Sequence, residues 1–260
     1  MITCRLQGGL GNQMFQVAAT TALAMELKTK AIFDLGACHT PAQGFTSNKY
    51  KNSIFNLIND EPLNTVKFTG VYTEPKFSFS ELPKQDNIIL NGYFQSEKYF
   101  VKYKKYIKRL FNIPEETLDK VELFLASEVS EHDTITSVHV RRGDYLNLSD
   151  YHAPCDVEYY KKAMEKIGDS KFVFISDDIE WCKDNFKGDN IYFSPFKDEI
   201  EDLALMSICD NQIIANSSFS WWGAYLCIWE DNITIAPSNW FGPKGPKDQQ
   251  DIIPKDWIKF

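Results

Sequence analysis

V-H-V-R-R-G-D-Y, residues Val138 to Tyr145, reads as the end of a β-strand that runs into a loop carrying two adjacent arginines. Ser137, His139 and Arg141 alternate with Val138 and Val140, so a period of two buries the valines and aims His139 and Arg141 at one shared face. Gly143 then lets the chain turn sharply. A guanidinium offers five donors in a planar fork, which suits the oxygens of a diphosphate better than the point charge of a lysine. The structural alternative is an arginine pair held by surface carboxylates, since acidic residues outnumber basic ones 36 to 28.

Around this stretch, strands alternate with helices. Downstream, strand Ser137 to Arg142 is followed by helix Glu158 to Ile167 and strand Phe172 to Ser176. Helix Ile200 to Cys209, strand Gln212 to Ala215, helix Trp222 to Trp229 and strand Ile233 to Ala236 complete a nucleotide-binding half. Ligands of such sheets lie at the carboxyl ends of the strands, where Arg141, Asp177 and Ser217 fall. Upstream, strands Ile2 to Leu6 and Lys30 to Asp34 flank an alanine-rich helix as a βαβ unit. Gly36 to Leu82 is polar and irregular, Asn87 to Gly92 reads as a strand, and Ser96 to Phe111 and Pro114 to Val129 read as helices. The expected architecture is α/β with largely parallel sheets, divided as 1–133 and 134–260 with the junction at Ser130 to Asp133. Pro237 to Pro254 reads as a loop before a short tail.

Two further clusters carry chemistry. Gly8, Gly9 and Gly11 allow close approach of backbone to a ligand, but Met14 stands where a dinucleotide fingerprint needs glycine, and there is no Walker lysine. Asn12 and Gln13 put neutral amides at the loop tip, where sugar hydroxyls can be held; a tight structural turn is the alternative. At Ala215 to Ala224, A-N-S-S-F-S-W-W-G-A, the hydroxyls of Ser217, Ser218 and Ser220 at a helix start suit a phosphate, or cap the helix above a core of Trp221 and Trp222. No Asp-x-Asp is present, so the divalent ion that such a motif holds is not expected.

Composition sets bounds. The chain has 260 residues, 43% hydrophobic and 14% aromatic, enough for a full core in one large or two small domains. A net charge of −8 argues against nucleic acid as a partner, although a local basic pocket can still take one diphosphate. Cys4, Cys38, Cys155, Cys182, Cys209 and Cys227 show no metal-ligand spacing and read as reduced thiols. Neither a signal peptide nor a membrane span is expected, which favours a bacterial cytoplasm.

The blocks G-G-L-G-N-Q-M-F-Q (Gly8 to Gln16), G-Y-F-Q-S-E-K-Y-F (Gly92 to Phe100), H-V-R-R-G-D-Y, F-I-S-D-D-I-E-W (Phe174 to Trp181) and N-S-S-F-S-W-W-G-A together resemble the bacterial α-1,2-fucosyltransferases of glycosyltransferase family 11. The H-x-R-R-x-D block resembles fucosyltransferases more widely. The resemblance implies a GT-B-like pair of Rossmann-type domains, with the donor in the C-terminal one, and an inverting, metal-independent transfer from GDP-β-L-fucose to the 2-hydroxyl of a terminal galactose, with no cofactor. On that mapping Arg141 meets the β-phosphate, Arg142 pairs with a carboxylate such as Asp144 and shapes the loop, and His139 touches the guanosine. Asp177 accepts from guanine N1 and N2 while Asp178 caps the next turn, or the reverse. Asn216, Ser217, Ser218, Phe219 and Ser220 line the donor site. Gly9, Gly11, Asn12, Gln13 and Gln95 face the acceptor. The base stays open between Asp34 and His152, with Asn12 as an orienting group. Peripheral association with lipid-linked glycans at the inner membrane face is a further expectation. A GDP-sugar transferase with another donor or acceptor, or a noncatalytic carbohydrate-binding protein, remains the alternative.

Overall fold

A computed structural model describes residues 1–37, 47–130 and 133–260. Cys38 and part of the expected junction at Ser130 to Asp133 lie outside the described residues, as does part of the irregular Gly36 to Leu82 stretch. The chain forms two compact units, Met1–Asn112 with Asp248–Pro254, and Ile113–Lys247 with Lys255–Phe260.

The first unit holds strand β1 (Ile2–Cys4), helix α1 (Leu10–Glu26), strands β2 (Gly70–Thr73) and β3 (Ile88–Asn91) and helix α2 (Lys104–Leu110). Its sheet is parallel in the order β1-β3-β2. Helix α1 is buried along nearly its whole length, which explains its run of small residues and its polar Gln13, Gln16 and Thr20 on inner faces. Those side chains bond main-chain carbonyls: Gln13 Nε2 donates to Gly8 O at 2.8 Å, Gln16 Nε2 to Gly92 O at 3.2 Å and Thr20 Oγ1 to Gln16 O at 2.7 Å. Two expectations are corrected here. Lys30 to Asp34 makes only isolated bridges, Ile2 to Ala31 and Phe33 to Asp60. The helix expected from Ser96 begins as two short 3₁₀ turns, Glu97–Tyr99 and Val101–Tyr103, and becomes α-helical only at Lys104.

The second unit contains α3 (Glu115–Phe124), β4 (Ile135–Val140), α4 (Gly143–Asn147), α5 (Val157–Ile167), β5 (Lys171–Ser176), α6 (Ile179–Asn185) and β6 (Ile191–Phe193). It continues with α7 (Glu199–Ile208), β7 (Asn211–Ile213), α8 (Ser218–Tyr225), β8 (Thr234–Ala236) and β9 (Ile258–Lys259). The parallel sheet runs β6-β5-β4-β7-β8-β9, the doubly wound order, which reverses direction between β4 and β7. Strand β4 is buried at every residue because both faces are covered. Val138 and Val140 pack with Tyr160, Phe172, Phe174 and Ile213 in one core. The helices start where aspartates cap them: Asp156 for α5, Asp178 for α6 and Asp198 for α7.

The boundary expected at residue 133 falls instead at 112. Helix α3 belongs with the second unit because Phe124 meets Phe196 edge-on at 5.4 Å and Lys120 pairs with Glu201 of α7. The tail expected after Pro254 becomes β9, with Trp257 against Trp221 at 5.4 Å. Helix α8 starts at Ser218, four residues before the expected Trp222.

Burial pushes the Asp202 carboxyl up to about 7, against a hydrogen bond from Ser194 Oγ at 2.7 Å that favours the ionised form. A folded-state pKa above the unfolded one gives stability that is full below the unfolded value near 4 and is lost as pH rises toward 7. Asp202→Asn should therefore raise the melting temperature at about pH 8 and change it less at about pH 5. An equal change at both pH values would contradict this linkage.

Candidate active site

Strand β4 stops at Val140, so the period of two that governs His139 does not reach the arginines. His139 is buried under the start of α8, with Phe219 5.7 Å from its ring, and among the described residues its Nδ1 has no hydrogen-bond partner. Burial, helped by the charge on Arg141, pushes its pKa down to about 3. A neutral imidazole with an orphaned nitrogen at a strand exit is a place for a ligand's polar atom.

Arg141 and Arg142 diverge. Arg141 bonds Asp144 through Nη2 at 2.6 Å and Asp177 through Nη1 at 3.0 Å, and its guanidinium lies 5.3 Å from the Tyr145 ring centre. Its side chain keeps 35% of its surface open. Arg142 bonds Asp178 through Nε at 3.0 Å and stacks on Trp181 at 4.0 Å. Arg142 thus pairs with a carboxylate as expected, but with Asp178 in place of Asp144: the first turn of α4 places Asp144 three residues from Arg141, within reach of that side chain instead. Asp177 also accepts the main-chain N–H of Arg142 at 2.9 Å. It anchors the arginine loop, so the guanine contact expected of it is not what holds it in place. Asp178 does cap α6, accepting from Trp181 N at 3.3 Å.

The serine-rich segment divides in the same way. Ser217 is the N-cap residue of α8, and Ser218 and Phe219 are partly exposed on its first turn. Ser220 is fully buried and donates to the carbonyls of Ala215 and Ser217, so its hydroxyl is occupied and does not serve a phosphate as expected. Asn216 is also buried, with its amide donating to Trp240 O at 2.8 Å. The main-chain carbonyl of Asn216 accepts from Tyr145 OH at 3.3 Å. Tyr145, which sequence reasoning left without a role, is central here. Burial raises its pKa, and its ring stacks face to face on His152 at 3.8 Å. Its place inside the R-R-G-D-Y stretch was the available signal. His152 is half-buried, and burial lowers its pKa.

In the first unit, Gly9 caps α1 and Gly11 lies in its first turn beside Asn12. Gly8 has φ of +77°, and a Cβ there would strike the Asn12 side chain, so the loop needs glycine on both counts. Gln95 Nε2 donates to Asn12 Oδ1 at 2.5 Å, which unites two residues expected at the acceptor. Gln13 is buried and bonded to the loop, so it is not at the tip. Asp34 accepts from the N–H groups of Gly36 and Ala37 at 3.1 Å and serves as a turn cap. Glu74 was missed because it lies in a stretch with no periodic signal. Its carboxylate accepts from Tyr93 N at 2.8 Å, Phe94 N at 3.0 Å and Tyr99 OH at 3.1 Å, fixing the turn that carries Gln95. Burial raises its pKa.

Among the described residues, no cluster of His, Cys, Asp and Glu is placed to hold a metal ion, and no helix is long and apolar enough to cross a membrane. The fold and the strand-exit arginines define a GT-B-like transferase of the α/β class. A family model described as Glycosyl transferase family 11 matches residues 1–260, and the chain belongs to that family. It is 32% identical to an alpha-1,2-colitosyltransferase of Escherichia coli over 100% of this chain and 98% of that protein. The O-antigen biosynthesis glycosyltransferase WbnK of Escherichia coli is also 32% identical, over 93% of this chain and 95% of its own. Human galactoside alpha-(1,2)-fucosyltransferase 1 is 26% identical over 96% of this chain and 72% of its own. The crystal structure of NodZ alpha-1,6-fucosyltransferase soaked with GDP-fucose superposes with a TM-score of 0.55 at 15% identity, covering 86% of this chain and 92% of that one, which establishes the shared fold.

A Cβ on Gly143 would lie 2.5 Å from Asp177 Oδ2. Gly143→Ala should cost about 1–3 kcal/mol in urea unfolding, the range for forced overpacking. In an Asp177→Ala background the same methyl finds room, so the penalty should shrink markedly. Full additivity of the two changes would show that Gly143 is not set by Asp177.

Proposed function

We propose that this family 11 enzyme transfers L-fucose, or a close deoxy relative, from its GDP-β-linked donor to the 2-hydroxyl of a galactose-terminated glycan, with inversion at C1 and without a metal ion. The observation that carries the reading is the partly open Arg141 guanidinium at the crevice between β4 and β7, beside the orphaned His139 Nδ1 and the first turn of α8. The relatives' names support the sugar class and the α-1,2 linkage, and colitose differs from L-fucose only by loss of the 3-hydroxyl.

On this reading the donor diphosphate lies across the strand reversal. Arg141 meets the β-phosphate and stabilises the charge that gathers there as the C1–O bond breaks, with Asp144 giving way to the phosphate. Preorganised cations of this kind are worth about 10²- to 10³-fold in rate. Arg142, stacked on Trp181 and bonded to Asp178, shapes the loop. His139 accepts from or donates to the nucleoside as a neutral ring, and Ser218 and the α8 amides complete the phosphate site. Asn12, oriented by Gln95, holds acceptor hydroxyls in the first unit.

The acceptor oxygen attacks C1 from the face opposite the diphosphate, the electron pair of the broken C1–O bond leaves on GDP, and the proton of the acceptor hydroxyl passes to water. An oxocarbenium-like transition state asks little of a base, because the attacking hydroxyl becomes acidic as its bond to C1 forms. Asp34 is committed to backbone amides, and among the described residues His152 has no hydrogen bond of the kind that orients a catalytic base. His152→Phe keeps the stack on Tyr145 and should leave kcat within about tenfold, below the 10²- to 10⁴-fold that loss of a general base brings. A larger fall in kcat at unchanged donor affinity would make His152 the base.

The localisation that goes with this reading is the bacterial cytoplasm, at the inner face of the membrane where lipid-linked glycans are assembled. The test of the reaction is GDP release from GDP-fucose in EDTA, with and without lactose, with GDP-mannose as control and the product linkage read by NMR. Acceptor-dependent release with a new α-1,2 linkage is expected. A strict need for Mg²⁺ or Mn²⁺, or no turnover of GDP-fucose on any galactoside, would overturn the proposal.

A further inference from the structure

The chain is acidic overall, yet residues 98–110, K-Y-F-V-K-Y-K-K-Y-I-K-R-L, carry Lys98, Lys102, Lys104, Lys105, Lys108 and Arg109 with no Asp or Glu among them. Helical spacing puts Lys105, Tyr106 and Arg109 on one face of α2, Lys102 lies in the 3₁₀ turn just before it, and all four are exposed. Ile107 and Leu110 are buried on the opposite side, so the segment is fixed to the first unit by its apolar stripe. Lys98 is tied to Asp251, and Lys102 lies 5.3 Å from the Tyr103 ring centre. Lys105 and Arg109 pair with no described carboxylate.

Charge is only half of the feature. Val101 and Tyr106 expose 47% and 49% of their surface on the same segment. Tyr106 also lines an open cleft of about 360 Å³ together with Leu57, which is 56% exposed, and with Lys28 and Lys30. Lys30 is held by Glu61, whereas Lys28 projects at the turn after α1. The face therefore combines cations with standing apolar side chains, including an aromatic ring that has a polar tip. That mixture suits the headgroup boundary of a bilayer, where apolar groups enter and lysines reach anionic lipid. A free polyanion would use the charges and leave Val101, Leu57 and Tyr106 in water.

We propose that the Lys102–Arg109 face of the first unit, with the cleft edge at Leu57 and Tyr106, docks on an anionic lipid bilayer. This deepens the reading of an enzyme that works on glycans at the inner membrane face, and it rests on that reading for its purpose but not for its measurement. Docking by this face holds the protein at the surface where a lipid-linked acceptor is confined, and it needs no membrane-crossing segment.

The experiment is flotation of the whole protein with vesicles of phosphatidylcholine alone and of phosphatidylcholine mixed with phosphatidylglycerol, at low and raised ionic strength. The protein should float with the anionic vesicles, release at raised salt, and ignore the neutral ones. Each Lys or Arg near such a surface contributes about fivefold, so Lys102→Gln, Lys105→Gln and Arg109→Gln together should weaken partitioning roughly 100-fold. Tyr106→Ser should weaken it with little change in salt dependence. Unaltered binding by the triple variant, equal binding to neutral vesicles, or retention on heparin without vesicle binding would each overturn the proposal, the last by showing a site for soluble polyanions. Turnover on soluble lactose should be the same in the triple variant, because none of these residues touches donor or acceptor. Vesicle binding without any GDP-fucose turnover would uphold the docking face and refute the transferase specificity instead.

Discussion

The carboxylate of Asp177 is the contact on which the arginine loop of the second unit depends. It joins the exit of β5 to the exit of β4 by accepting from the main chain of Arg142 and the guanidinium of Arg141, 35 and 36 residues away in sequence. Both side chains remain partly exposed, so solvent screens the pair and its net contribution to stability is small. What it supplies is geometry. The main-chain bond fixes where the loop leaves the strand, the ion pair aims Arg141 along the crevice, and Arg142 is left to turn toward Asp178 and Trp181. Gly143 is part of the same constraint, because any Cβ there collides with the carboxylate.

A second constraint of the same kind organises the first unit. Its glycine-rich loop is held from below by the amides of Gln13 and Gln16, and the Gly92 to Gln95 turn is held by Glu74. Gly8 carries the positive φ, and Phe94 has φ of +52°, an unusual value for a side chain of that size. The two turns meet at the Gln95 to Asn12 bond. Buried amides bonded to backbone are costly to disturb, so this network presents Asn12 in one orientation.

The sheet of the second unit was legible because β4 alternates with period two and β5 is a nearly continuous apolar run, and β4, β5, β7 and β8 lie within a few residues of the expected strands. The exits at Arg141, Asp177 and Ser217 followed from the strands. The pairing of the arginines did not follow, since alternation was extended to Arg142 whereas β4 ends at Val140 and a short helix takes over at Gly143. Gln13 read as a tip residue because amides are usually solvated, and only the tertiary contact with Gly8 shows that it turns inward. The boundary at 112 was hidden for a related reason: α3 is mostly exposed and is claimed for the second unit by a few contacts with α7 and the loop before it. Strand β2 gave no signal, as its residues alternate only between partly buried and exposed and none is buried.

The central claim is that Arg141 is where a nucleotide's β-phosphate binds. Calorimetric titration of the intact protein with GDP and with GMP, repeated on Arg141→Gln, tests it directly. The account predicts that GDP binds more tightly than GMP and that Arg141→Gln reduces GDP to about the affinity of GMP while leaving GMP nearly unchanged, a loss of about 1.5–3 kcal/mol for a hydrogen bond to a charged group. Equal affinities for GDP and GMP in the unaltered protein, or a GDP preference that survives Arg141→Gln, would contradict it.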